Sequence, residues 1–550
     1  MANRLCIQIT ERDNVAIAIH DVPKGTEVMP GVVTVEDIPQ AHKIALKALP
    51  KGSEVIRYGV VLGTTAEDIP VGGWINEKNL IMAPAPDLDQ MEFATNIRTD
   101  LPKPKRTTWM GYRNPNGGYA GTRNILCINT TVQCVAGVLN VAIQRIKREI
   151  LPKYPNVDDV VAINHPYGCG VAIDAPDAYI PQKIIRNIAT HPNFGGVFML
   201  VGLGCEKFTV DRFCEWWPEL NNEDNVIVLQ NYKGYQAMMD AICEMAEKKL
   251  RILNERKREE LPLSDLLVGM QCGGSDAFSG ITANPTAGYA ADLLVSGGGT
   301  AMFSEVTEVR DGVQFIAHRC INEEVGKRLV EEMKWYDNYL KKGGVDRGAN
   351  TTPGNKKGGL SNIIEKSMGS IAKSGSSPIV EVLSPGDKPT KHGEIFAATP
   401  ASDLVCGPSQ LASGMGLEVF MTGRGTPYGL AAAPVIKLCS RNEMKEQWPD
   451  IIDFNAGPAA VGEAPSKNRA KNSLTSSSTS PPASKSHTPN STASPTTSAY
   501  LTLHQSRRRL HQAVQNRRSP HRDHARMSPC VDFFDFIGAL PRYRTPPKAT

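Results

Sequence analysis

The 550-residue sequence predicts an α/β protein: a small β-rich N-terminal domain, two α/β lobes with largely parallel sheets, and a disordered C-terminal tail. Three observations predict it. Up to about residue 85, short apolar runs are separated by Pro- and Gly-bearing turns. From residue 109, apolar runs alternate with stretches of helical periodicity, the order of a parallel sheet covered by helices. After residue 463 the chain turns to Ser, Thr, Pro and Arg, a composition that cannot form a buried core.

In the first unit (1–85), "RLCIQI", "NVAIAI", "HKIALKAL" and "EVIRYGVVLG" are strand candidates, and no helix is expected. Pro23 with Gly25, and Pro70 with Gly72, punctuate similar turns. Residues 86–108, proline-bearing and charged, read as a linker. The first lobe (109–260) holds the strand "NILCINTT", a helix over "VQCVAGVLNVAIQRIKREIL" and the strand "VDDVVAINH". A helix in "AIDAPDAYIPQKIIRNIATH", two further strands and a helix from Gly234 to about Leu250 complete it. The second lobe (261–463) has strands at "LLVGMQCGG" and "GTAMFSEV", then a charged helix from about Asn322 to Leu340 and a Gly- and Lys-rich segment. Its last strands are "GEIFAATPAS", "LEVFMTGRGT" and "PVIKLCS", and residues 464–550 form the tail.

A chain of 59.7 kDa has room for two or three cores. The formal charge of +4 is small, and its basic residues concentrate after Lys467, so nucleic-acid binding is not implied for the body. Twelve cysteines in 550 residues are too sparse for a secreted disulfide scaffold. The N-terminus lacks a basic region followed by an apolar run, and no apolar stretch reaches membrane-spanning length. A cytoplasmic protein is expected.

Five loops concentrate reactive side chains beside glycine: "TTVQC", "NHPYGCG", "GLGCEK", "GMQCGGSDAFSG" and "NTTPGNKKGG". Most follow an apolar run, as active-site loops follow the strands of an α/β sheet. They support a metal-assisted enzyme acting on a small polar substrate.

The last four of these loops, in this order and preceded by "GYRNPNGGYAGTRN", resemble the altronate and galactarate dehydratase family from Met1 to about Glu463. Residues 1–85 are similar to its small β-rich N-terminal domain. The tail departs from the family after "DFNAGPAAVGEA", as a shifted reading frame near Ala464 would cause. The resemblance implies loss of water from D-galactarate to give 5-dehydro-4-deoxy-D-glucarate, with ferrous iron as the associated metal. Another divalent metal or an iron–sulfur cluster is the alternative cofactor. Rival activities are dehydration of altronate or another sugar acid, and a non-catalytic iron–sulfur protein. A nicotinamide dehydrogenase is disfavoured because "GYRNPNGGYAG" lacks the GxGxxG arrangement. A homodimer is the default assembly.

Such an elimination needs a base, an acid for the departing hydroxyl, and positive charge for the enediolate. Cys169, Cys205 and Cys272 are metal candidates because thiolates suit iron, with small cysteines filling turns as the plain alternative. Cys134 opens an apolar helix and reads as packing. His165 is a candidate base or ligand, and His20 and His42 are candidate ligands if the N-terminal domain covers the site. Arg113, Arg123, Lys356, Lys357 and Arg424 are candidate carboxylate anchors, Lys356 also a candidate base. Glu206, Asp276 and Glu305 are candidate acid or metal groups, whereas Glu308 is expected to pair locally with a base. Ser275, Thr351, Thr352 and Asn355 suit hydroxyl recognition, with Asp276 beside them.

Overall fold

The computed structural model describes residues 4–170 and 172–461, so the tail expected at 464–550 lies outside the described residues. The architecture is mixed α/β, as the alternation of strand and helix patterns predicts.

The N-terminal unit is built from short antiparallel strands. Four of them, Cys6–Ile7, Val15–Ala18, Lys43–Ala45 and Trp74–Ile75, form one sheet. No helix occurs among described residues 4–85. "EVIRYGVVLG", expected as one strand, is a hairpin of Glu54–Arg57 against Val60–Thr65. It turns at Tyr58 and Gly59 with φ of 58° and 71°, the left-handed pair of a tight hairpin. Residues 86–108 are not a free tether. Leu88 is buried in the core of the last lobe, and Phe93 packs over Gly326, where a Cβ would clash.

The strands Thr108–Gly111 and Glu259–Pro262 pair as an antiparallel ribbon where the chain enters and leaves the middle lobe. Inside that lobe a parallel sheet has the order Asp159–Ile163, Ile125–Thr130, Leu200–Gly202, Val226–Val228. Helices Ala136–Arg145 and Gly234–Asn254 pack on one face; Tyr179–Ala189 lies on the other.

The last lobe is a seven-stranded parallel sheet. Its order is Ile379–Leu383, Glu394–Ala397, Thr300–Ser304, Leu267–Cys272, Leu417–Thr422, Val435–Cys439, Phe454–Asn455. These strands are nearly all buried, as a parallel sheet covered on both faces requires. The charged helix runs from Glu323 to Gly343, capped by the Asn322 side chain. The Gly- and Lys-rich segment folds into the short helices Pro353–Lys357 and Ile363–Ile371. The two lobes share a core of Ile125, Ile163, Ile188, Leu267, Met302 and Met415. From Leu267–Cys272 the chain first adds strands on one side, then turns to the other with Leu417–Thr422. That reversal makes a topological switch point, and the crevice beyond the strand ends at such a point is where ligands bind in such sheets.

Among the described residues no helix is long and apolar enough to cross a membrane.

Candidate functional site

At this switch point Cys272 ends the central strand, and Glu305 and Glu308 follow the neighbouring one. Glu305 sits at φ 80°, a left-handed conformation costly for a side chain with a Cβ and often retained at functional sites. The helix Ile363–Ile371 and the turn after it bring Lys366, Ser370 and Lys373 to the same place.

The Lys373 ammonium lies 3.0 Å from Ser370 Oγ, 3.3 Å from Cys272 Sγ and 3.5 Å from Glu308 Oε2, and it also donates to Glu305. Ser370 donates to Glu308 at 2.6 Å, and Lys366 Nζ stands 3.1 Å from the other Glu308 oxygen. All of these side chains are buried. Burial and the neighbouring charge of Glu308 push the Glu305 carboxyl up to about 8, against the pull of Lys373. For Glu308 burial acts upward too, but Lys366 and Lys373 outweigh it and bring it down to about 2. Burial, reinforced by both carboxylates, pushes the Cys272 thiol up to about 12.

Ligand atoms of Cys272, Glu305 and Glu308 all lie within 4.8 Å of one another. Two carboxylates and a thiol are compatible with a metal ion. The Lys373 ammonium bonds to the same three donors, so a bound ion and this ammonium compete for one set of partners.

Beside this cluster the loop 273–280 is tightly held. Asp276 accepts from the Ser279 amide at 2.8 Å and from Ser440 Oγ at 3.0 Å, and pairs with Arg441 at 2.9 Å. Asn355 donates to the Ser275 carbonyl at 2.9 Å and forms a capping box with Thr352. Asp276, Thr352 and Asn355 therefore shape the crevice by holding its loops. The Thr351 hydroxyl is buried without a hydrogen-bond partner among the described residues. Lys356 and Arg424 are half-buried and Lys357 is exposed; among the described residues none of the three side chains is ion-paired. Arg424 lies against Gly358, where a Cβ would stand 3.3 Å from its Cδ.

The N-terminal unit covers these loops. Lys43 donates to Glu365 at 2.9 Å and to the Gly359 carbonyl at 2.7 Å. Arg57 also pairs with Glu365 and reaches the Ala277 carbonyl at 2.7 Å. All three ionic groups are buried. His42 lies in this interface with both ring nitrogens engaged, by Trp74 Nε1 at 3.0 Å and the Lys357 carbonyl at 3.4 Å. It is an interface residue rather than a ready ligand, and His20 is exposed.

Several expectations are redistributed. Arg113 and Arg123 precede the strand Ile125–Thr130, so they sit at its N-terminal end, paired with Glu259 and Asp158. The expected trio of Cys169, Cys205 and Cys272 is divided: Cys272 belongs to the seven-stranded sheet, the other two to loops of the four-stranded one. Glu206 binds its own loop, accepting from the amides of Leu203 and Gly204 and from Thr131 Oγ1. These bonds outweigh burial and hold it below the usual carboxylate range. His165 is buried in the same lobe, with Nε2 on the Thr130 carbonyl at 2.8 Å and its basicity lowered by burial. Glu308, expected to pair locally, instead reaches two lysines some sixty residues on. Lys366 and Lys373 were missed, though with Ser370 they repeat at i, i+4 and i+7, one helical face.

Three family profiles match consecutive parts of the chain. They are the altronate/galactarate dehydratase SAF domain (residues 4–83), the D-galactarate dehydratase/altronate hydrolase second domain (111–254) and the D-galactarate/altronate dehydratase C-terminal domain (263–480). The chain is 53% identical over 465 residues to galactarate dehydratase (L-threo-forming) of Escherichia coli (strain K12), covering 83% of this chain and 89% of the relative. Altronate dehydratase of Bacillus subtilis (strain 168) is 34% identical, with 82% and 90% covered, and that of Escherichia coli (strain K12) 33%, with 83% and 91% covered. With all three profiles in order and such identity over most of its length, the chain belongs to the D-galactarate/altronate dehydratase family.

Proposed function

We propose that the chain is a hydro-lyase that removes water from galactarate to give 5-dehydro-4-deoxy-D-glucarate. The observation that carries the substrate is the 53% identity to a galactarate-acting relative, against 34% and 33% to the altronate-acting ones. The division of labour follows from the crevice of the seven-stranded sheet. Lys357 holds the carboxylate beside the reacting carbon, and Arg424 takes the second carboxylate, which altronate lacks. The unpartnered Thr351 hydroxyl and Ser275 recognise substrate hydroxyls. Lys356 removes the proton and returns it to the departing hydroxyl, which leaves as water. Lys366 and Lys373 supply fixed positive charge for the enediolate. Cys272, Glu305 and Glu308 would hold the metal, ferrous iron in this reading, which when bound polarises a substrate carboxylate. His165, Glu206, Arg113 and Arg123 take no direct part.

The reading extends to a cytoplasmic homodimer with units at 1–85, 109–260 and 261–463. To test the activity, the protein is purified without oxygen, supplied with ferrous iron, and offered galactarate, glucarate and altronate separately. Keto-acid formation chiefly from galactarate is expected. A folded, iron-supplied protein that turns over altronate faster, or none of the three, would refute it.

A further inference from the structure

Three thiols converge at the strand ends of the four-stranded sheet, outside the crevice described above. Cys134 follows Ile125–Thr130, Cys169 follows Asp159–Ile163, and Cys205 follows Leu200–Gly202. These strands are immediate neighbours with Ile125–Thr130 in the middle. All three cysteines are exposed, whereas Cys127, Cys214 and Cys243 of the same lobe are buried in its cores and behave as small hydrophobes.

The loops carrying the thiols are bound to one another. Gly168, at φ 103°, packs so closely on Thr131 that a Cβ would meet its carbonyl oxygen at 2.1 Å. The Gly168 carbonyl accepts from the Lys207 amide at 2.7 Å and the Phe208 amide at 3.2 Å. Glu206 ties the Cys205 loop to Thr131, and His165 ties the Cys169 loop to Thr130. The Cys134 thiol feels both others: Cys169 and Cys205 add to burial in pushing it up. Residues just beyond Cys169 and Cys205, including Ile173, Ala175, Lys207 and Arg212, line an open cleft of about 480 Å³.

The geometry points to an iron–sulfur cluster held by Cys134, Cys169 and Cys205, with its fourth corner open to this cleft. Soft thiolates select such clusters. Spacing favours a cluster over a single ion. A tetrahedral ion bound at about 2.3 Å holds its sulfurs about 3.8 Å apart. Among the described residues, the group of three whose ligand atoms all lie within 4.8 Å is instead Cys272, Glu305 and Glu308. The thiol trio is therefore spread more widely. Each thiol gives up its proton on ligation, and Lys207 at the cleft offsets part of the resulting negative charge, whereas Arg212 is paired there with Asp174 at 2.8 Å.

The test is anaerobic reconstitution of the full chain with ferrous and ferric iron and sulfide, which supply the cluster's mixed iron valence. Iron, sulfide and the visible charge-transfer band are read without substrate, so the result is independent of the dehydratase reading. The wild type is expected to take up about four sulfides per chain, and about four irons that are lost together with them in the thiol variants, as a [4Fe–4S] cluster contains. Cys134→Ser, Cys169→Ser and Cys205→Ser should each lose most of the band while keeping the wild-type circular dichroism. Cys272→Ser should retain it. A Cys134→Ser variant with a full cluster, loss of the cluster in Cys272→Ser, or a wild type that binds iron without sulfide would each overturn the assignment. Should a serine variant fail to fold, the corresponding alanine variant gives the same reading at that exposed position.

Discussion

At Glu305 the backbone adopts φ 80° directly after a buried strand, and the carboxylate it presents meets Lys373. Lys373 in turn meets Glu308, Cys272 and Ser370, so a single ammonium holds this polar cluster together. Removing one partner of a buried ionic set leaves the others without compensation. We expect Lys373→Met to lower unfolding stability by about 3–5 kcal/mol and to abolish turnover. Urea denaturation checks the first effect; an unchanged midpoint would mean that the carboxylates are satisfied elsewhere. Part of this cluster was legible one residue at a time: Cys272 and Glu305 stand in glycine-bearing or strand-end positions that draw attention, whereas Glu308 read as a local ion-pair partner. Lys373 was not, because nothing in "IAKSGSS" marks a lysine as buried. Its carboxylate and thiol partners lie 65 to 101 residues away, and only the fold joins them.

At the scale of elements, the N-terminal unit is fastened over the crevice by Glu365, which Lys43 and Arg57 grip from the other side. Burial alone would raise this carboxyl, but the two cations prevail and hold it below the usual range. Its ionised form is therefore favoured in the folded protein. The stabilisation is complete above the unfolded value of about 4.3 and is lost as pH falls through the lower folded value. Docking should thus persist from pH 8 to about pH 5 and fail only in stronger acid. Glu365→Gln should weaken it even at neutral pH, lowering stability by about 3–5 kcal/mol, because two buried cations lose their counter-charge. Hydrogen exchange in the strands Val15–Ala18 and Lys43–Ala45 reads this directly; protection equal to wild type at pH 7 would count against the fastening role. The strand pattern of this unit could be read from its apolar runs and turns. The Tyr58–Gly59 hairpin was hidden because a tyrosine in the left-handed region carries no signal in sequence.

Across the whole molecule, two parallel sheets share one core yet present different chemistry at their strand ends. The seven-stranded sheet gathers carboxylates and cations; the four-stranded sheet gathers thiols. The order of strands and helices was readable from periodicity, and so was the presence of reactive loops. Which loops meet was not, since sheet membership decides it: Cys272 and Cys205 look alike in sequence but end strands of different sheets. For the same reason Arg113 and Arg123 seemed to approach a site, whereas they lie at the opposite end of their strand.

The central claim is that a six-carbon diacid is held in the crevice of the seven-stranded sheet. Its most direct test is kcat/KM for galactarate and altronate, measured side by side for the wild type and Arg424→Ala. A wild-type preference for galactarate is expected. Arg424→Ala should lose about 10- to 100-fold on galactarate, the worth of one charged hydrogen-bonding anchor, with little change on altronate. Equal losses on both acids, or no loss on galactarate, would contradict it.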